Sequence, residues 1–243
     1  MSGPSAPSTA AGKCPPVCQL FVNGQGKRSR YTLTNFASMF APQEARPMTY
    51  AVKLLDETGA EVASQDVTIA PFGTADFFPN ERFSETLPEL GLLTAELRDY
   101  DGPAFEHLGL LRPYFYAIYH DDGMRSVAVV HPQTTFLDAA PAGASWRSSH
   151  IVACGDVQAL EVFQINPTNE TRETAVAVCD LGGEVKASSA AAMGPRSVRR
   201  MQWGSDVFGD ADFVCLASEA MTAPNAKPLM FQHRASGFSA AHS

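Results

Sequence analysis

The stretch TYAVKLLDETGAEV, residues 49–62, decides the reading of the fold, and it has a counterpart in TAVAVCDLGGEV at 174–185. In the first, Tyr50, Val52 and Leu54 alternate with Ala51 and Lys53, and the run closes on Asp56 and Gly59. A period of two puts one set of side chains on one face of a strand, and an Asp followed by Gly supplies the chemistry of a tight turn. The second stretch repeats the pattern: Val176 and Val178 stand opposite Val52 and Leu54, Asp180 opposite Asp56, and Glu184-Val185 opposite Glu61-Val62. Each stretch reads as a strand, a turn and the start of a returning strand.

Further matches follow outward in the same order. IAPFGTADF (69–77) lines up with MGPRSVRRMQW (193–203), and GLLTAELRD (91–99) with ADFVCLASEA (211–220). RPYFYAIYHDDGMRSVAVVH (112–131) lines up with KPLMFQHRASGFSAAHS (227–243), each with a basic residue before Pro, an apolar strand, a turn at Gly123 or Gly237 and a closing His131 or His242. Ordered matches of this kind are the mark of an internal duplication. The fold expected is therefore all-β: two tandem, duplicated antiparallel β-sandwich domains of Ig-like or Greek-key type. The expected divisions are a flexible N-terminal tail at 1–17, copy one at 18–137, a Pro/Gly/Ala-rich linker at 138–149 and copy two at 150–243. Strands of copy one are expected near 18–22, 30–35, 49–56, 61–69, 74–78, 92–98, 113–120 and 125–131, with a helical turn within NERFSETLPELG (80–91). A pair of bicupin-like barrels ranks behind, because the chain lacks the His-x-His pair usual in cupins.

Composition narrows the function classes. A chain of 243 residues, 45% hydrophobic and 18% charged, can bury a substantial core. Its net charge is −8, and its densest basic cluster is PRSVRR, with Arg196, Arg199 and Arg200, which argues against a nucleic-acid partner. No apolar run approaches the ~20 residues of a membrane span, and no secretory h-region is seen, so no membrane insertion and a soluble, cytoplasmic location are expected. Five cysteines, Cys14, Cys18, Cys154, Cys179 and Cys215, form an odd and scattered set that reads as reduced thiols. CPPVC (14–18) is open to structural, redox or metal-binding readings.

Two constellations are candidate sites. His131 and His242 end the last strand of each copy, with His120 and His233 one strand away. Imidazoles converging across an interdomain cleft would hold a transition metal. Tyr114 and Tyr116 fall on the face of their strand opposite Phe115 and Tyr119, and could meet a ligand or the other copy. Trp146 and Trp203 are expected to help dock the two halves. Serine-hydrolase elbow, phosphate-loop, dinucleotide and zinc-protease motifs are all missing. The leading expectation is thus a non-catalytic binding or assembly protein that takes a small ligand or protein partner at the interdomain junction. The alternative is a metal-dependent enzyme built on the four histidines, and a homo-oligomer pairing through strand edges is the third reading.

Overall fold

The computed structural model describes residues 16–98, 115–131, 134–139, 146–223 and 226–242. The first half carries β1 (Val17–Gly24), β2 (Lys27–Thr34), β3 (Met48–Asp56), β4 (Glu61–Ile69), β5 (Thr74–Phe77), β6 (Leu90–Leu97), β7 (Phe115–Asp121), β8 (Val127–Val130) and β9 (Thr134–Thr135). The second carries β10 (Ser148–Ala153), β11 (Val157–Ile165), β12 (Arg172–Cys179), β13 (Val185–Met193), β14 (Val198–Gly204), β15 (Phe213–Ala220), β16 (Leu229–Arg234) and β17 (Gly237–His242). Every ladder between these strands is antiparallel. The all-β, antiparallel sandwich expected from the alternation is what the chain forms.

Strand order runs β4-β3-β6-β1 and β5-β2-β7-β8 in the first half, and β13-β12-β15-β10 and β14-β11-β16-β17 in the second. In the first half the two rows join into one path because β1 changes partner along its length. Val17 to Val22 pair with β6, while Asn23 and Gly24 pair with β2. Tyr31 and Tyr119 then reach from β2 and β7 and donate their hydroxyls to the Leu20 carbonyl at 2.7 and 3.0 Å, so one row lies over the other.

The stretches that decided the reading are the hairpins β3–β4 and β12–β13. The Asp56 carboxylate accepts from the amides of Thr58 and Ala60, and that of Asp180 accepts from the amide of Glu184. Gly59 and Gly183 occupy the left-handed position at φ +92° and +90°, where a side chain is strained. The expected helical turn is displaced. It forms as α2 (Pro79–Arg82), ahead of Ser84, while Leu90 already belongs to β6. Pro79 presets the first helical position, and Pro88 both lacks an amide donor and pushes Leu87 toward extended backbone, so no helix continues to Leu90. A second short helix, α1 (Ala37–Phe40), follows β2.

Two buried asparagines tie strand ends to turns. Asn35, after β2, donates its amide to the carbonyls of Arg46, Ile69 and Ala70 and accepts from Ser38. Asn166, after β11, donates to Glu170, Met193 and Gly194 and accepts from Thr168. Each thereby closes the turn that contains Phe72 or Arg196, non-glycine residues held at φ +59° and +50°.

The second core, with Val152, Leu160, Val162, Val176, Val178, Leu216 and Met230, lies between the two sheets of the second half. The first core does not stop at the first half: Phe163, Ile165, Val198, Leu229 and Phe231 join Phe21, Leu55, Leu92 and Tyr119. β11 is accordingly buried on both faces, and Phe231 sits with ring centroids 5.2 Å from Tyr119, Phe163 and Phe238.

Candidate functional site

β11 alternates Leu160 and Val162 toward the second core with Glu161 and Phe163 on the other face. Packing the first half onto that face leaves Glu161 only 1% exposed. A lone buried carboxylate costs several kcal/mol unless it is met by charge and hydrogen bonds. Glu161 is met by three groups. Lys27 of β2 places Nζ 3.3 Å from Oε2, His233 of β16 places Nε2 2.9 Å from the same oxygen, and Arg200 of β14 places Nη1 3.5 Å from Oε1. Burial works to raise the Glu161 pKa, but the hydrogen bond to His233 and the charge of Lys27 prevail and hold it below its ordinary value. The result is an ionic centre around a buried carboxylate, in which Lys27 comes from one half and Glu161, with the partly exposed Arg200 and His233, from the other.

Lys27 and His233 also line a cleft of about 230 Å³. Its walls are three hairpin turns: Gln25-Gly26 between β1 and β2, Asp121 and Arg125 between β7 and β8, and Arg234 to Gly237 between β16 and β17. The sequence dictates these turns locally. Gln25 and Gly26 take φ +51° and +72° in succession, the twist that a two-residue hairpin needs. Asp121 accepts from the Arg125 amide at 2.7 Å and lies 3.5 Å from its guanidinium. Ser126 receives the Phe238 amide at 3.0 Å, and a Cβ on Gly237 would fall 1.7 Å from the Ser126 hydroxyl, so the β7–β8 and β16–β17 turns are in direct contact. Arg234 is braced by Asp156 at 2.7 Å.

The residues singled out in the sequence are placed unevenly. His233 enters the centre. His120, on β7, has Nδ1 2.9 Å from the Asp121 carbonyl. His131 follows β8 at an exposed position, and His242 closes β17, its side chain lying outside the described residues. Among the described residues no three His, Cys, Asp or Glu side chains gather into a group that could hold a metal ion. Tyr116 is 40% exposed while Phe115 and Tyr119 are buried, as the alternation implies, and Tyr114 lies outside the described residues. Trp203 belongs to the second core, and Trp146 accepts the Met221 amide through its carbonyl. Cys18 is fully buried, which drives its thiol pKa far up; Cys14 lies outside the described residues. Among the described residues no helix is long and apolar enough to cross a membrane. Glu161 and Lys27 went unread, and Arg200 was read only as part of the PRSVRR cluster, because an acid within ALEVFQI (159–165) looks like the solvent-facing member of a half-buried strand.

No family model and no curated protein matches this chain. Solved structures offer remote likenesses. One is a β-glucuronidase from glycoside hydrolase family 2, at 9% identity and a TM-score of 0.21, covering 93% of this chain and 23% of that one. Another is a glycosyl hydrolase family 2 member from Bacteroides cellulosilyticus, at 8% identity and a TM-score of 0.22, covering 93% and 25%. A third is the β-glucuronidase from Ruminococcus gnavus, at 10% identity and a TM-score of 0.20, covering 95% and 36%. The chain thus spans between 23% and 36% of the length of these proteins, and at such TM-scores they lend it no activity.

Proposed function

We propose that the chain is a binding module made of two duplicated β-sandwich units, copy one at 18–137 and copy two at 150–243 joined by 138–149, that takes a small polar ligand at their junction. The duplication is supported by the ordered sequence matches, by the parallel strand orders and by the paired roles of Asn35 and Asn166. One observation carries the binding reading. Turns from both halves enclose a cleft, and two of its lining side chains, Lys27 and His233, come from opposite halves and are fixed by the same buried carboxylate. Side chains locked in this way meet a ligand without first losing rotamer freedom, which is the physical content of preorganisation.

The test is a ¹⁵N-resolved titration of the full chain with separate small polar probes: glycerol, glucose, glycine betaine and inorganic phosphate. Saturable shifts centred on the amides of Gly26, Gly237 and Phe238 are expected for at least one probe. Shifts confined to other surfaces, or none with any probe, would overturn the reading.

A further inference from the structure

The chemistry of the cleft wall narrows the ligand. Three permanent cations line it, Lys27, Arg125 and Arg234, with the imidazole of His233, against one lining carboxylate, Asp121. With the carboxylates just behind the wall included, Lys27, Arg125, Arg234 and Arg200 face Asp121, Asp156 and Glu161, a local surplus of one permanent cation on a chain whose formal charge is −8. Glu161 does not cancel it. Its two oxygens are divided among Lys27, Arg200 and His233, so one negative charge faces two permanent cations and a ring nitrogen. His233 lines the cleft with its Nε2 engaged by Glu161. Arg125 is 84% exposed at its side chain and, among the described residues, ion-pairs with Asp121 of its own turn, so it can swing onto a ligand with little rearrangement. Arginine forks match oxyanions in bidentate fashion.

Size sets the other limit. Clefts that take drug-sized or nucleotide-sized ligands run to about 300–1,000 Å³. A cleft of about 230 Å³ suits a small ligand.

We infer that the three-hairpin cleft is a site for a small multiply charged oxyanion, with Arg125, Arg234 and Lys27 as its cationic contacts. This rests on the binding reading above and specifies its ligand class. Free phosphate and short dicarboxylates share the chemistry, and the experiment separates them. Full-length protein is titrated with inorganic phosphate and, separately, with succinate, each at matched ionic strength, while the amides of Gly26, Gly237 and Phe238 are followed. Saturable shifts are expected with one or both anions, weakened by added salt. Arg125→Gln and Arg234→Gln are each expected to raise the dissociation constant roughly tenfold. Arg125 belongs to neither core, so its variant should fold and supply the clean comparison. The inference is overturned if anion shifts never saturate, scatter over basic residues elsewhere, or are unchanged in Arg125→Gln. Glycerol distinguishes the two levels: saturable glycerol shifts at these amides without anion binding would sink the oxyanion and keep the junction as a binding site. Silence with anions and neutral probes alike would sink both.

Discussion

Glu161 is the residue on which the junction turns, because its side chain is buried and, among the described residues, its compensation comes from Lys27, Arg200 and His233. Replacing it with Gln keeps the shape and removes the charge, leaving Lys27 buried beside an uncharged amide. Removing one partner of such a buried set destabilises a protein by about 3–5 kcal/mol, and Glu161→Gln is expected to lose close to 3 kcal/mol in urea unfolding near neutral pH. The pH dependence has a definite sign. The Glu161 pKa is lowered in the folded state, burial being outweighed by His233 and Lys27, so the unfolded chain binds the proton more tightly. Its contribution is complete above the unfolded value of about 4.3 and disappears as pH falls through the lower folded value. The stability gap between wild type and Glu161→Gln should therefore narrow as pH falls from about 5 through the acid range. A constant gap across that window would mean that Glu161 is not held as an anion.

At the scale of elements, what fixes the ends of β2 and β11 is a side chain acting as a piece of backbone. Asn166 is fully buried and stitches the end of β11 to the β13–β14 turn through the Met193 and Gly194 carbonyls, and to its own β11–β12 connection through that of Glu170. Asn166→Ala strands those acceptors and is expected to cost about 2–3 kcal/mol. Asn166→Asp should cost more, since a carboxylate would point at carbonyl oxygens that the amide now serves. Equal losses for the two variants, read from urea midpoints, would remove the donor role from the account. Elements of this kind also show what was legible in advance. β3 and β4 were readable almost to their ends, because each has one buried and one wetter face and so keeps a period of two. β11 was not readable in the same way: its second face is covered by strands far away in sequence, and Lys27 meets Glu161 across 134 intervening steps of chain. Phe231 and Gly237 were legible as a strand and a turn, yet nothing local to them states that they press on Tyr119 and Ser126. The histidines were visible as reactive groups, but a single sequence does not say that His233 faces a carboxylate.

The whole molecule is held by contacts that similar turns in the two halves do not share, and this allows a matched comparison. Gly59 and Gly183 have nearly the same backbone conformation, and an added methyl strains either by about 1–2 kcal/mol. A Cβ on Gly183 meets nothing within 4 Å, whereas one on Gly59 would lie 2.6 Å from the Pro195 carbonyl oxygen and 2.9 Å from that of Arg196, across the junction. Gly59→Ala should therefore be the more destabilising of the two by thermal or urea melts, and parity would mean that the turns separate at little cost. The shared first core makes a further demand. Both tryptophans, Trp146 and Trp203, lie after residue 137, so their fluorescence reports the second half. Far-UV circular dichroism reports strands from both halves. Phe163, Leu229 and Phe231 complete the core of the first half from strands β11 and β16 of the second, so neither half can unfold without exposing apolar surface of the other. The two signals should then follow one urea transition with a common midpoint and slope. If tryptophan fluorescence instead changes at a distinct denaturant concentration, the halves are separate cooperative units. The Glu161 centre would then be a contact that is lost when one half unfolds and that the other half does not need in order to stay folded.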